Sequence, residues 1–476
     1  MPRPAFLTCY FPFSMLFFTS PCLRRRALAV GLGAALAAGP ARAQSPRAAL
    51  PPAPPVAPLT LAQCVSYALR QQPAVRQALL DEEIGQRTVQ AELSGWLPQV
   101  EGTGTYRRNL KLPVAVLPNF TDPSLPSQVI RVGLKNTSNL GLQATQSLFS
   151  NDLLLASRAA RYTRQQNAQN TAGFRIDAVV DVSKAFYDIL LTGEQIDVLN
   201  EAIRRQEKQL ADTKAQFDEG LVDATDFRRA SVSVRNAYSA RRTAAESLRG
   251  KYAALKQLMG VPPESPVRLT SDSLQLVNET RLDTTEQLRY ERRIEVQQLA
   301  TRQQLQRLSI DYYRLGFLPK LTGFANYVGV YQNDQLSGLY RQVFPTSQLG
   351  LDLTLPVFTG LRRYQNRKIA ELAQDRLTLN LQNLRGQIST EYEQSLGTYQ
   401  GALNDWTAQQ ANVVDARETY AITKLQYDEG IKAYLEVIVA ENDLRQAQLN
   451  YYNALYTVLA AKLDVQRALG SITPTL

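Results

Sequence analysis

Apolar residues recur at steps of four and three through the longest polar-rich stretch of the chain. Tyr392, Leu396, Tyr399, Leu403, Trp406, Gln410, Val413, Arg417 and Tyr420 mark a coiled-coil seam on a helix expected over residues 361–427. Upstream, Leu377, Leu381, Leu384 and Ile388 carry a similar seam, and the repeated step of four from Ile388 to Tyr392 is a stutter that locally unwinds the supercoil. The following stretch, residues 434–469, carries two seams. Leu444, Tyr451, Leu455, Val458 and Val465 form one, and Leu449, Tyr452, Tyr456, Leu459 and Leu463 the other. A helix with two apolar flanks has a neighbour on each side, as a stave in a cylinder does; burial in an ordinary bundle is the competing explanation.

A different period appears elsewhere. Leu140, Leu142, Ala144 and Leu148 alternate with Gly141, Gln143 and Thr145, and Leu349, Leu351, Leu353 and Leu355 alternate with Gly350, Asp352 and Thr354. Period two predicts strands, placed at 97–110, 129–149, 319–332 and 346–357, with a Pro-rich loop from Pro113 to Pro126 between the first two. Helices are expected at 59–93, 151–215, 223–260 and 283–315, the second on the order of 100 Å long at 1.5 Å per residue.

These elements occur twice. QFDEGLVDATDF (Gln216 to Phe227) and QYDEGIKAYLEV (Gln426 to Val437) are related by an offset of 430 − 220 = 210 residues. The offset continues without a gap, pairing Ala230 with Ala440, Arg235 with Arg445, Ala244 with Ala454 and Gly260 with Gly470. Trp96-Leu97-Pro98 has its echo in Phe317-Leu318-Pro319. The chain therefore reads as a tandem duplication, 59–261 and 283–470, joined by a connection at 262–282 and ending in a tail at 471–476. Each copy contains a helical hairpin turning at a glycine, which supplies the left-handed conformation a tight turn needs. The tips are Gly220 with Leu221 and Gly430 with Ile431. In the first, Asp223 can cap the returning helix, with Asp226 three residues on as a carboxylate variant of the capping box.

Composition narrows the chemistry. The formal charge is +10, but residues 1–43 hold Arg3, Arg24, Arg25, Arg26 and Arg42 and no acid, leaving 10 − 5 = +5 on the rest. The remaining basic residues are scattered among acids and amides, so no nucleic-acid partner is expected. The chain has no His, which removes the commonest general base and metal ligand, and no catalytic or metal site and no cofactor is expected. An arginine triplet, the apolar run Ala27 to Ala38 and Ala41-Arg42-Ala43 form a secretory signal over 1–43, followed by a Pro- and Ala-rich tether at 44–58. Past the signal only Cys64 remains, in an apolar helical pattern that makes it a buried small residue.

In an exported chain, strands with one aliphatic face and one face of Gly, Thr, Asn, Asp and Gln suit a barrel with lipid outside and water inside. Tyr106, Phe120, Tyr327, Tyr331, Tyr340 and Phe344 near strand ends suit interfacial belts. A sheet with one buried face is the alternative for any single strand. Four strands cannot close in lipid without unpaired edges, so further copies must complete the barrel, and three would give twelve strands.

With its duplicated helix–strand–strand–helix–helix order, two glycine tips and Pro-marked junctions, the mature chain resembles the TolC-like outer-membrane efflux factors. The resemblance implies a mixed α/β membrane protein, mainly α: a homotrimer with a twelve-stranded outer-membrane barrel and a periplasmic tunnel of coiled-coil hairpins. It implies a passive exit duct in outer-membrane lipid, working with a periplasmic adaptor and an inner-membrane pump of the resistance-nodulation-division or ATP-driven type. In that family the helix tips form a gate, and the matching positions are Asp226, Tyr427 and Lys432, with Glu436 as an acidic ring residue. Lys432 replaces an arginine and loses its bidentate fork, and a second family acid would fall at Val439. The strand-end P-L-F motif is Pro356-Val357-Phe358 in the second half but Ser147-Leu148-Phe149 in the first. Helix-start electrostatics alone also accounts for Asp226 and Glu436. The competing class is a periplasmic helical-hairpin adaptor, which would carry one hairpin flanked by β domains; a secreted hydrolase lacks any supporting motif.

Overall fold

The computed structural model describes residues 58–117, 128–220, 222–270 and 273–473. The signal segment, most of the tether, Phe120 and Leu221 lie outside the described residues.

The first half opens with α1 (Leu61–Gln71) and α2 (Pro73–Leu93). One helix over 59–93 is thus corrected to two. Pro73 has no N–H to continue the ladder and pushes Gln72 out of the helical region, to ψ 126°. A capping box at Thr60 and Gln63 starts α1. Strand β1 (Gln99–Arg108) follows, then a short ribbon, β2 (Val114–Leu117) paired with β3 (Gln128–Arg131). That ribbon replaces part of the expected loop, and the chain turns at Gly133, φ +95°, before β4 (Asn136–Phe149). The strand expected to begin at 129 is therefore two elements. Helices α3 (Asn151–Asp218) and α4 (Ala224–Met259) make the first hairpin.

The connection carries a short helix, α5 (Ser273–Glu279). The next long helix, α6 (Ile294–Arg314), starts eleven residues later than the expected 283. Asp283 accepts hydrogen bonds from the amide and hydroxyl of Thr285 (2.9 and 2.6 Å), folding this polar segment into a turn instead. Strands β5 (Lys320–Asn333) and β6 (Phe344–Thr354) precede the second hairpin, α7 (Arg362–Asp428) and α8 (Tyr434–Leu469).

The two halves match in detail. Helices α2 and α6 both have 21 residues, and α4 and α8 both have 36. Gly260 and Gly470 end α4 and α8 at φ +70° and +68°. In both, the next residue donates back to the carbonyl five positions earlier, at 2.9 Å for Val261 to Lys256 and 3.0 Å for Ser471 to Gln466.

The main sheet is antiparallel in the order β1-β4-β5-β6, leaving β1 and β6 as open edges. Its register sorts the residues cleanly. Val100, Ala144, Ala325 and Leu349 form a row on one face, and Glu101, Gln143, Asn326 and Gln348 a row on the other. The aliphatic face is bare: Leu349 is 86% exposed, and Leu140, Leu142, Leu351 and Leu353 are exposed with it. Tyr106, Tyr327, Tyr340 and Phe344 are also exposed. Among the described residues no helix is long and apolar enough to cross a membrane.

The four long helices pack in the order α4–α3–α8–α7. Their core lies where α1 and α5 join them, with Phe186 and Ile189 of α3, Leu255 and Met259 of α4, Tyr399 and Trp406 of α7, and Val458 and Leu459 of α8. Cys64 is fully buried there, and burial pushes its thiol pKa up to about 12. Arg293, buried at the start of α6, forks both oxygens of Glu391 (3.3 and 2.8 Å) and donates to the Arg467 carbonyl (2.8 Å), tying α6 to α7 and α8.

The seam of α7 needs one correction. Gln410 and Arg417 are exposed, and Gln409 and Ala416 take the sheltered positions. From Tyr399 the sheltered residues then run Ala402, Trp406, Gln409, Val413, Ala416, Tyr420, Thr423 and Tyr427, a strict alternation of three and four. Ile388 and Tyr399, both among the most buried side chains, stand eleven residues apart, which is the stutter in spatial form.

Candidate functional site

The two hairpin tips end in open space. Gly220 and Gly430 adopt φ +77° and +74°, and a side chain added at either would meet none of the described residues beyond its chain neighbours within 4 Å. Both glycines are there for the backbone. At the second tip the Gly430 amide donates to Tyr427 (2.9 Å) and the Ile431 amide to Gln426 (2.8 Å), which closes the end of α7. Ile431, Leu435 and Val439 are exposed around it.

Asp223 caps α4 by accepting from the Thr225 amide (2.9 Å) and hydroxyl (3.2 Å), and these bonds hold its carboxyl below the usual carboxylate range. Asp226 does not complete a capping box. It turns instead to Arg229, with Nη1 3.6 Å from Oδ1. Lys432, in the turn ahead of α8, reaches Glu436 in the first turn of that helix, Nζ to Oε2 3.0 Å. Both carboxylates also sit in the first turn of a helix, where the backbone dipole favours them.

Tyr427 is the residue that joins the tips. Its hydroxyl donates to Gln216 Oε1 on α3 (3.1 Å), its ring lies 5.8 Å from that of Tyr434, and the Lys424 ammonium sits 5.4 Å over it. It packs on a small cluster of Ala230, Tyr434 and Val437, drawn from both hairpins. Burial raises the Tyr427 pKa, and the neighbouring Asp226 charge raises it further. Of the four gate candidates, then, Lys432 and Glu436 pair, and Asp226 stands within electrostatic reach of Tyr427. Among the described residues Asp226 bonds neither Tyr427 nor Lys432.

A polar cluster between α3, α7 and α8 was not anticipated. Arg205 Nε lies 3.5 Å from Glu441 Oε1, and its guanidinium stands 5.9 Å from the Tyr420 ring centre. Glu441 is buried. Burial raises its pKa, while Arg205 and Arg445 pull it back. Among the described residues, Glu441 Oε1, Gln206 Oε1 and Arg445 Nε are buried with no well-formed hydrogen bond. The available signal was a carboxylate three residues before Leu444, on the apolar seam of α8.

Comparison with known proteins places this geometry. Residues 64–261 and 287–471, the two halves, match the family described as outer membrane efflux protein. The outer membrane protein TolC of Vibrio cholerae is 22% identical over 421 residues, covering 87% of this chain and 91% of that protein. TolC of Escherichia coli is 22% identical over 355 residues, covering 71% and 70%. Among solved structures, the CmeC outer membrane channel of Campylobacter jejuni has the same fold, with a TM-score of 0.68 at 18% identity over 87% of each chain. CusC gives 0.67 at 19% identity over 86% of this chain and 91% of that one. The chain belongs to the outer membrane efflux protein family and is a TolC-like protein of the outer membrane.

Proposed function

We propose that the chain is the outer-membrane exit duct of a tripartite efflux or secretion system and carries out no catalytic chemistry itself. The observation that carries this reading is the four-stranded sheet. One face is aliphatic and bare, the other is polar, and both edges are open. Such a sheet is stable in lipid only as part of a closed barrel, because unpaired backbone groups cost several kcal/mol each there. Three copies close it with twelve strands, with polar rows such as Glu101, Gln143, Asn326 and Gln348 lining a water-filled lumen.

The hairpins continue the duct into the periplasm, and their tips form its gate. Asp226, Tyr427, Lys432 and Glu436 are the gate residues, and Gly220, Leu221, Gly430 and Ile431 the adaptor contact. The energy comes from an inner-membrane pump reached through a periplasmic adaptor. The local ion pairs Asp226–Arg229 and Lys432–Glu436 support a gate that is latched weakly, since each joins residues only three or four apart at one tip.

Purified protein added to a planar lipid bilayer tests the reading. Discrete conductance steps are expected. Folded protein that gives no conductance over a wide range of voltages would overturn the duct.

A further inference from the structure

The internal repeat contains the plan of a contact that a single chain cannot complete. Helix α8 has two long neighbours. Its Tyr451 ring lies 6.2 Å from Trp406 of α7, while Tyr452 donates to Glu194 of α3 (3.2 Å) and Asn453 accepts from Gln195 of α3 (2.7 Å). The seam on its α3 side is Leu449, Tyr452, Tyr456, Leu459 and Leu463. Moved back by the repeat offset of 210 residues, these positions become Ser239, Arg242, Glu246, Arg249 and Ala253 of α4, and all five are exposed. Helix α4 packs chiefly on α3. Its second flank is bare.

That flank is not merely polar. Arg228, Arg235, Arg242 and Arg249 recur every seven residues and are all exposed, so they form one stripe along the helix. Among the described residues only Arg249 of these four has an ion pair within the chain, with Glu246. Helix α7 is bare in the same way. Asn404, Ala408, Ala411, Asp415, Glu418, Ile422 and Leu425 follow steps of four and three and are all exposed, on the flank away from α8. Asp415 and Glu418 have no ion-pair partner among the described residues.

The repeat also sets the register between the two bare flanks. The α3–α8 pairs Glu194–Tyr452 and Gln195–Asn453, shifted by 210 residues in opposite directions, become Asn404–Arg242 and Asp405–Thr243. In that register Arg228 falls beside Glu418, and Arg242 lies opposite Asn404, diagonal to Asp405, whose Oδ1 accepts from Gln409 (3.1 Å) within the chain. Asp415 lies one turn from both Arg228 and Arg235. Val232 on α4 supplies apolar contact between the charges, and Ile422 on α7 supplies it beyond them, towards the tip.

We propose that α4 of one chain packs against α7 of a second copy, joined by an ionic seam in which Arg228 meets Glu418 and Arg242 meets Asp405. This rests on the oligomeric duct proposed above and adds the surface through which its copies recognise each other. The occupant is a second copy because this one chain carries both complementary flanks, and because its own α3–α8 packing gives their register. The sheet is consistent with this: β6, one of its open edges, is the strand that α7 follows in the chain. Seams within a copy are largely apolar, whereas this one is charged. Salt therefore weakens association between copies while each copy's hairpins hold.

The test uses the full chain in detergent, with mass measured by light scattering at low and high salt. Arg228→Glu and Glu418→Arg should each weaken association by about tenfold, and the two together should restore most of it. In parallel, Thr243→Cys combined with Asp405→Cys is treated with a short bifunctional thiol reagent, with buried Cys64 left in place. The pair should give covalent dimers and trimers, and each single variant none. A trimer that ignores both reversals and yields no cross-link would overturn this seam but leave the duct standing. Cross-linking to a different protein would also overturn it. A native chain that stays monomeric under all conditions would remove the oligomeric duct as well.

Discussion

Helices α4 and α8 have the same length, the same cap and the same place in their hairpins, yet they are built for different surroundings. Thirteen residues of α8 are buried, against five of α4. Helix α8 carries four acidic and three basic residues; α4 carries two acidic and eight basic. The descending helices show the reverse asymmetry, with eighteen buried residues in α3 and six in α7. The inner staves are α3 and α8, the outer ones α4 and α7. Both halves carry the same hairpin but different charge patterns. On the packing proposed above, that difference follows from whether a helix's neighbour lies in the same chain or in another copy.

Twin positions put the comparison at its sharpest. Leu459 in α8 is 1% exposed, and its counterpart 210 residues earlier is the exposed Arg249. Leu459→Ala should cost about 3 kcal/mol in the dissociated chain. Arg249→Ala should leave the transition unchanged within error, both read by thermal unfolding followed by helical circular dichroism. Equal losses at the two positions would erase the distinction between inner and outer staves.

The helix-start positions Arg293 and Gln72 are twins at an offset of 293 − 72 = 221, the offset that also relates the starts of α6 and α2. Arg293 is buried on Glu391, whereas Gln72 Oε1 is buried with no hydrogen-bond partner among the described residues. Arg293→Met should destabilise by about 2 kcal/mol, with the exposed fraction of Glu391 limiting the loss. Gln72→Met should be neutral or slightly stabilising, because it removes an unsatisfied carbonyl. Denaturant midpoints of the two variants decide it.

Glu441 supplies a pH test of the inner stave. Its folded pKa is raised, so the folded chain binds this proton more tightly than the unfolded one. Its favourable contribution is present below the ordinary value of 4.5 and is lost as pH rises through the raised value. The melting temperature of Glu441→Gln, set against that of the native chain, should therefore gain in relative terms as pH rises through that window. A difference independent of pH would mean that Arg205 neutralises the carboxylate fully. The smallest effect is expected at the tips. Asp226→Asn with Glu436→Gln should lower cation preference, read as a smaller reversal potential in a salt gradient. An unchanged reversal potential would detach these carboxylates from the conducting path.

Much of this was legible in the sequence because the repeat could be read twice. The two seams of α8 and the turn glycine Gly430 place that helix at 434–469, the span it occupies. What stayed hidden was decided by local competition or by contacts distant in sequence. Pro73 broke a helix whose apolar pattern runs straight through it. Residues 283–293 have helical composition, but the Asp283 side chain opens the segment with a turn at Thr285, and only Tyr290–Arg292 coil, as a short 3-10 helix. The β2–β3 ribbon lies in a Pro-rich segment without alternation. At the tips the residue types were visible but their partners were not. Lys432 can reach Glu436 four residues on, and that near pairing wins over a distant one. The four arginines seven residues apart stood in the sequence, but the seam proposed from them needed the order α4–α3–α8–α7, which only the packing supplies.

The central claim is that α4 is an outer stave covered by another copy, and solvent access to its bare flank tests it most directly. Ser239 lies on that flank and Ser247 off it, and both are exposed in the single chain. With a cysteine at Ser239, a polar thiol reagent should react at least about tenfold more slowly in the assembled protein than in the dissociated chain. A cysteine at Ser247 should react at nearly the same rate in both. Equal rates at Ser239 in the two states would contradict the account.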